Sequence, residues 1–250
     1  MIMFYFSATG NSKYVAELFS SKMGAKCYSI EDDADFASLI DNVDTVGFCY
    51  PIYGSRVPQL MREFAALYSK ALYKKKLIIF CTQMGGSGDG ARAFLDVLLI
   101  GDANVIYAEH FLMPNNVCNL FILPLAGKKR TKWYLAKTHA LMDKVCENIR
   151  NGRIKKRGFN SFSQMLGLVQ GALFPIIEKR AKGKVWIDSD CNQCGICVAI
   201  CPMNNFENGA DGIIAKANCM VCYRCINKCP QKAIAVFFRR KVKRQYAGIE

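Results

Sequence analysis

The sequence lacks several features that would point to particular function classes. It has only two histidines, His110 and His139, and no carboxylate or cysteine can be paired with either, so both are predicted to be structural. The N-terminus has no basic start followed by a long apolar run and a cleavage site, so no secretion signal is predicted. Residues 162–177 are the most apolar later stretch, but they are short for a bilayer and contain polar residues, so no transmembrane segment is predicted. No G-x-G-x-x-G motif follows a predicted strand, so direct nicotinamide binding is unsupported.

Acidic residues are also scarce relative to basic ones. The chain holds 34 Lys and Arg against 20 Asp and Glu, a net charge of +14, and the excess lies between residues 121 and 185 and in the last residues. Basic runs such as 128–130, 155–157 and 239–244 are most often solvated faces. A docking surface for an acidic redox partner protein is the second interpretation, ahead of nucleic acid or anionic lipid. No DNA or RNA partner is expected, and the oligomeric state stays open.

Cysteine, by contrast, is abundant and ordered. Eight of the 13 cysteines form two copies of the pattern C-x2-C-x2-C-x3-C-P, at residues 191–202 and 219–230. This spacing is typical of proteins with two [4Fe-4S] clusters, in which three thiolates of one run and the fourth of the other run hold each cluster. The predicted ligand sets are Cys191, Cys194, Cys197 and Cys229 for one cluster, and Cys219, Cys222, Cys225 and Cys201 for the second. Zinc usually takes two Cys-x2-Cys pairs, and disulfides fit poorly with so dense a run in a chain without a secretion signal.

The two cysteine runs also form an internal repeat, since 219 minus 191 gives a period of 28 residues. Strand-like residues flank them at 185–187 and 233–237, which predicts a two-stranded ribbon around the repeat. Residues 184–238 resemble the bacterial two-cluster ferredoxin domain. The resemblance implies transfer of single electrons at low potential.

The N-terminal residues predict a phosphate-binding loop. Residues 2–6 are an apolar run typical of a buried strand, and residues 13–22 have helical spacing. The loop between them offers hydroxyls, an amide and a glycine at the start of the helix, where backbone N-H groups and the helix dipole favour an anion. The candidate residues are Ser7, Thr9, Gly10, Asn11 and Ser12.

Strands and helices alternate further along the chain. The pattern predicts strands at 45–49, 77–81 and 104–111 and helices at 58–72 and 91–100, hence a parallel sheet covered by helices. Residues 1–150 resemble the flavodoxin family. That resemblance implies an α/β fold with a doubly wound, five-stranded parallel sheet, and FMN bound by three loops.

The resemblance assigns the FMN phosphate to residues 7–12 and the flavin ring to two later loops, with Tyr50 or Tyr53 as a candidate stacking partner. Asn115 and Asn116 are predicted to form a turn rather than to contact the flavin. The candidate ring-binding residues are Tyr50, Pro51, Ile52, Tyr53 and Gly54 in one loop, and Thr82, Gln83, Gly85 and Gly86 in the loop at 82–89.

Residues 112–116, which follow the strand that ends at Phe111, also occur near this point in proteins that fuse a flavodoxin-like domain to a ferredoxin. Nearly the whole chain resembles that fused family, known as EFR1-type ferredoxins. The predicted organisation is a flavodoxin-like domain (1–151), a basic helical connector (152–183), a ferredoxin-like α+β domain (184–238) and a basic tail (239–250). It implies electron transfer within one chain between two [4Fe-4S] clusters and FMN, in the reducing cytoplasm. One alternative is a flavin-dependent reductase of a small molecule fed by the ferredoxin domain. A regulatory or nucleic-acid-binding protein is a third.

Overall fold

The computed structural model describes residues 1–86, 88–99, 103–120 and 123–249. Its N-terminal unit is built on one parallel sheet with the order β2-β1-β3-β4-β5-β6. The inner strands are apolar on both faces, as in residues 77–81 of the fourth strand, because helices cover both sides of a parallel sheet. The strands are β1 (Ile2–Tyr5), β2 (Lys26–Ser29), β3 (Thr45–Pro51), β4 (Lys76–Gln83), β5 (Asn104–Leu112) and β6 (Lys155–Lys156).

Helices pack against both faces of this sheet and create two apolar layers. In one layer Phe4 contacts Phe48 and Phe64. In the other, Phe19 meets Phe80 edge to face with ring centroids 5.0 Å apart. The helices are α1 (Asn11–Met23), α2 (Phe36–Asp41), α3 (Gln59–Leu67), α4 (Ser69–Leu72) and α5 (Lys128–Arg150).

The sheet has six strands rather than the five predicted. The additional strand β6 is short, and an ion-paired cluster holds it beside β5. Glu109 on β5 is fully buried, and its carboxylate accepts hydrogen bonds from Lys155 at 2.8 Å and Arg157 at 3.0 Å. Burial opposes ionisation of Glu109, but these cations and the backbone N-H of His110 outweigh it and lower its pKa.

Three predicted helices differ from the observed ones. The helix expected at 58–72 is divided into α3 and α4 at Tyr68. The helix expected at 91–100 is a 3-10 helix at Arg92–Val97, and Ile100 lies outside the described residues. The helix expected through the connector is divided into α6 (Ser161–Gly171) and α7 (Phe174–Lys182). Pro175 explains the division. Inside a continuous helix its ring would clash with the preceding turn, whereas it fits in the first turn of a new helix.

The C-terminal unit contains the two cysteine runs. The antiparallel ribbon predicted around them is present, with Val185–Ile187 paired to Ile234–Val236. Backbone conformation repeats with the 28-residue period: φ is positive at Gln193 and Val221 and again at Gly195 and Tyr223. The elements are β7 (Val185–Ile187), α8 (Ile196–Ile200), β8 (Phe206–Gly209), β9 (Gly212–Ala215), α9 (Arg224–Lys228) and β10 (Ile234–Val236). Across the part of the chain that the structure describes, no helix is both long and apolar enough to cross a membrane.

Candidate functional site

The eight clustered cysteines line two separate small cavities. Each cavity receives three cysteines from one run and the fourth from the other, so the chain crosses between the two positions as the sequence predicts. The first cavity is lined by Cys191, Cys194, Cys197 and Cys229. The second is lined by Cys201, Cys219, Cys222 and Cys225.

Backbone N-H groups approach the sulfur atoms in the same way in both halves of the repeat. The N-H groups of Gln193 and Val221 lie 3.4 Å from the sulfur two residues earlier. Those of Asn205 and Ala233 lie 3.3 Å from the sulfur four residues earlier. Such donors stabilise negative charge on sulfur and tune the potential of an iron-sulfur cluster.

The chemistry of these cavities suits iron ligands. Burial raises the pKa of the Cys222 thiol to about 12, so a bound cation is needed to keep it as a thiolate near neutral pH. No three His, Cys, Asp or Glu side chains of the described chain converge on a position for a single metal ion. Thiolates around a cubane need not converge on one point, because its four iron atoms are separate.

A much larger cavity of about 710 Å³ lies at the carboxyl edge of the sheet. Three loops from the ends of β1, β3 and β4 form its floor, where open parallel sheets bind ligands. The volume is within the range of small-molecule cofactor sites. Predicted residues that line it are Ser7, Thr9, Asn11, Ser12, Pro51, Ile52, Tyr53, Gly54, Thr82 and Gln83.

The loop before α1 has the geometry of an anion site. Gly10 adopts φ of 99°, and its N-H donates to the Ser7 hydroxyl at 3.1 Å. The first helical hydrogen bond runs from the Tyr14 N-H to the Gly10 carbonyl, so the preceding amides have no acceptor within the helix. The hydroxyls of Ser12 and Thr82 lie 2.7 Å apart and tie the loop to the end of β4. These residues fit the phosphate of FMN.

Tyr53 gives independent support for a bound group. Its hydroxyl is buried and has no hydrogen-bond partner among the described residues. Burial raises its pKa, so it remains a protonated donor. A buried donor left unpaired is costly, and a flavin with ring nitrogens and carbonyls would supply the missing acceptor.

Tyr50 is a correction to the sequence-based prediction, because it does not line the cavity. Its side chain is fully buried, its hydroxyl donates to the Gly90 carbonyl at 3.0 Å, and its ring stacks on Phe94. Tyr50 is still within β3, and both faces of that strand are covered, so its ring fills the core.

Three predicted glycines also lie off the cavity lining. Gly10 acts through its backbone conformation at the start of α1. Gly85 and Gly86 lie farther along their loop, where the Gly86 carbonyl accepts a hydrogen bond from Gln170 of α6. Ser87 of the same loop is outside the described residues.

The C-terminal unit covers this cavity, which the sequence did not predict. Val221 and Tyr223, on either side of Cys222, line it together with aromatic residues 237 and 238. Tyr223 occupies the left-handed position that Gly195 fills in the first repeat. A non-glycine residue in this conformation is strained, and such positions cluster at functional sites. The presence of tyrosine where the first repeat has glycine is the sequence feature that could have indicated this contact.

Asn116 connects the FMN loop to the second cysteine cavity. Its amide nitrogen lies 3.2 Å from the Thr9 hydroxyl and 3.4 Å from the Cys222 carbonyl. Its own carbonyl accepts a hydrogen bond from Asn227 at 2.8 Å. The Asn115 side chain accepts a hydrogen bond from the Val117 N-H at 2.9 Å and donates one to the Val117 carbonyl at 3.0 Å, but no backbone turn is assigned at these residues. Both asparagines nevertheless line the cavity, contrary to the expectation of a turn alone.

Arg224 makes the most extensive contact between the two units. Its guanidinium uses all five N-H donors, two of them on the carboxylate of Glu31 at 2.6 and 2.7 Å. The other three reach the carbonyls of Ser7, Ala8 and Ile200 at 2.9, 3.1 and 2.9 Å. Arg224 directly precedes Cys225, the third cysteine of the second run, so it fixes that run to the candidate phosphate loop.

The C-terminal tail returns to the same loop. The Tyr246 hydroxyl donates to the Asn11 side chain at 2.6 Å, and the Tyr246 N-H donates to Asn227 at 2.7 Å. Beyond it, Gly248 packs closely on the Thr9 carbonyl. The tail therefore packs on both units at the edge of the cavity.

Neither histidine lies in the cavity. The buried His110 accepts a hydrogen bond from the Ala91 N-H at 3.3 Å, and burial is the main cause that lowers its pKa to about 4. His139 is hydrogen-bonded to Tyr14 at 2.7 Å at the surface. Both positions agree with the structural role predicted for them.

Comparisons with known families agree with this two-part architecture. The family described as Flavodoxin domain matches residues 2–146. The chain belongs to the flavodoxin family. A second family, described as 4Fe-4S dicluster domain, matches residues 190–234. The flavodoxin domain and the 4Fe-4S domain together make this an electron-transfer protein that involves a flavin and iron-sulfur.

Among solved structures, the chain is similar to two-electron reduced Megasphaera elsdenii flavodoxin, with 20% identity, 44% of this chain and 85% of that chain covered, and a TM-score of 0.37. It is also similar to oxidised Flavodoxin 1 from Bacillus cereus, with 15% identity, 57% of this chain and 96% of that chain covered, and a TM-score of 0.35. A comparison with curated proteins finds no match.

Proposed function

We propose that this protein transfers electrons within one chain between two [4Fe-4S] clusters and FMN, and so couples one-electron carriers to a flavin. When bound, FMN exchanges one or two electrons and each cluster exchanges one. The observation that carries the proposal is the shared boundary between the flavin cavity and the second cysteine cavity. Val221 and Tyr223 line both cavities.

The cluster next to the flavin would be the one held by Cys201, Cys219, Cys222 and Cys225. Cys222 is buried, and it packs with the apolar core of the flavodoxin domain. Asn116 and Arg224 hold its loop against the flavin loop through the hydrogen bonds described above. The first cluster, with Cys194 exposed, would then receive electrons from outside.

An acidic redox partner is the proposed source or acceptor of these electrons, in the cytoplasm. A surface depression of about 610 Å³ beside Cys118 is bordered by four cations of the tail, Arg240, Lys241, Lys243 and Arg244. Lys241 is already paired with Asp190, whereas the other three make no ion pair with any described residue. Their charge favours a partner with carboxylates, and binding would weaken as salt rises.

Cofactor analysis and reduction of the whole chain test the proposal. Protein purified without oxygen should hold about eight iron atoms and one FMN, because eight thiolates ligate two cubanes. Reduction of the clusters should be followed by reduction of the flavin. Four iron atoms, absence of FMN, or a flavin that stays oxidised beside reduced clusters would overturn it.

A further inference from the structure

Helix α6 packs on the flavodoxin domain through its smallest residues. A Cβ at Gly167 would overlap the carboxylate of Asp89, and a Cβ at Gly171 would overlap the guanidinium of Arg56. Gln170 lies on this side as well, where it accepts a hydrogen bond from the Ser55 hydroxyl. The inward face is therefore small and polar. A surface helix normally turns its apolar face inward.

Most of the large apolar side chains of α6 and α7 are instead exposed, and Phe174, which packs against Tyr53, is the buried exception. Within α6, Phe162, Met165 and Val169 are three or four residues apart and so share one side of the helix. Seven large hydrophobic side chains are involved, each 40 to 70% exposed: Phe162, Met165, Leu168, Val169, Leu173, Ile176 and Ile177. We call these seven residues the apolar stripe. So many exposed large apolar side chains within one short segment mark an interaction surface.

Basic residues dominate the segment that contains the apolar stripe, although Lys155 and Arg157 are already paired with Glu109. Residues 152–184 contain eight Lys and Arg and one acidic residue, Glu178. That carboxylate is already paired with Arg62 at 2.9 Å. Exposed Lys179 and Arg180 continue α7, and Arg180 follows Ile176 by one helical turn, so a cation ends the stripe on its own face.

We propose that the apolar stripe docks on an anionic membrane surface, with α6 and α7 lying in the plane of the headgroups. An anionic lipid layer supplies both an apolar region for the stripe and negative charge for the flanking cations. A second copy of this chain would bring two sets of excess cations together, which opposes a dimer through this face. An acidic protein surface would meet the cations but would leave large apolar side chains against charged groups.

Docking of this face would bring the flavin cavity to the membrane. Ile177 of the stripe and Arg180 at its end also line that cavity. The docked surface thus ends at the rim of the redox site.

Vesicle sedimentation with the full holoprotein tests this inference. We expect binding to phosphatidylcholine vesicles that contain about 30% phosphatidylglycerol, weak binding to phosphatidylcholine alone, and release as salt is raised. Leu168→Ser and Val169→Ser should each lower the partition coefficient roughly tenfold, because each removes an apolar side chain from the contact. Leu67→Ser is the matched control, since Leu67 is 74% exposed at the end of α3, outside the stripe.

Iron and flavin content show whether each variant is folded, and vesicle binding itself needs no electron transfer. The inference is overturned if the protein binds neither kind of vesicle, or binds both equally. It is also overturned if Leu67→Ser weakens binding as much as Leu168→Ser does. A dimer that forms without lipid and is dissociated by Leu168→Ser would assign the stripe to a second copy instead.

Discussion

Removal of Arg224 should loosen the junction between the flavodoxin domain and the 4Fe-4S domain. The Arg224 side chain is 16% exposed and that of its partner Glu31 is 26% exposed, so the arginine is mostly buried while the carboxylate stays partly open to solvent. Truncation to alanine removes five hydrogen bonds and leaves a half-buried carboxylate and three carbonyls without their donor. Breaking a fully buried pair costs about 3–5 kcal/mol, and the partial exposure of Glu31 lowers the expected loss here to about 2–3 kcal/mol.

Arg224→Lys should recover only part of this loss. A lysine keeps the charge but has three N-H donors in place of five, and it cannot make the bidentate contact with Glu31. The matched control is Lys216→Ala, which breaks an ion pair with Glu207 in the same domain, with side chains 42 and 52% exposed. An exposed pair contributes about 1 kcal/mol or less.

The measurement is anaerobic denaturant unfolding of the holoproteins, followed by flavin fluorescence and by cluster absorbance. The free energy of unfolding should fall in the order wild type, Arg224→Lys, Arg224→Ala, with Lys216→Ala close to wild type. A loss for Arg224→Ala no larger than for Lys216→Ala would refute the reasoning, because Arg224 would then be an ordinary surface cation.

Three further predictions concern single side chains. Asn116→Ala should slow reduction of the flavin by the clusters without loss of iron or FMN, as stopped-flow absorbance can show; an unchanged rate would leave Asn116 without a role in positioning. Cys222→Ser should lower the iron content from about eight to about four per chain, whereas Cys118→Ser, a cysteine outside the runs, should lower it not at all. His110 has a folded pKa of about 4, below its unfolded value of about 6.5, so its contribution to stability is complete above pH 6.5 and is lost as pH falls toward 4. The free energy of unfolding in urea should therefore fall by about 1 kcal/mol more for wild type than for His110→Gln between pH 7.5 and 5.5. Equal falls would contradict a buried neutral histidine. Its charged neighbours are Glu109 and Arg157.

The cysteine arrangement was predictable from sequence because its geometry is local and repeated. Ligand spacing of two and three residues forces tight backbone turns, and the fourth cysteine before proline is freed to reach the other half. In the structure, each small cavity is lined by the four cysteines that this spacing predicts. That they ligate iron stays a prediction.

The flavin loop was predictable for a related reason. The turn between a buried strand and an amphipathic helix has a fixed shape, so Ser7 and Ser12 were placed at the cavity from pattern alone. Tyr50 was misplaced because the pattern does not show where a strand ends. β3 continues to Pro51, which keeps Tyr50 in the core.

The junction between the two units could not be read from sequence. Arg224 meets Ser7 across 217 positions, and Tyr246 meets Asn11 across 235. No periodicity links residues so far apart, and an isolated arginine or tyrosine in a cysteine-rich or basic segment has many ordinary roles. The outward apolar face of α6 was equally hidden, because the glycines that face inward resemble those of a flexible connector.

Flavin reduction kinetics test the central claim most directly. After rapid reduction of the clusters in anaerobic holoprotein, the flavin should be reduced with a first-order rate constant that does not change when the protein is diluted. That result is expected of transfer within one chain, since the second cysteine cavity and the flavin cavity share Val221 and Tyr223. A rate that rises in proportion to protein concentration, or clusters that stay reduced beside an oxidised flavin, would contradict it.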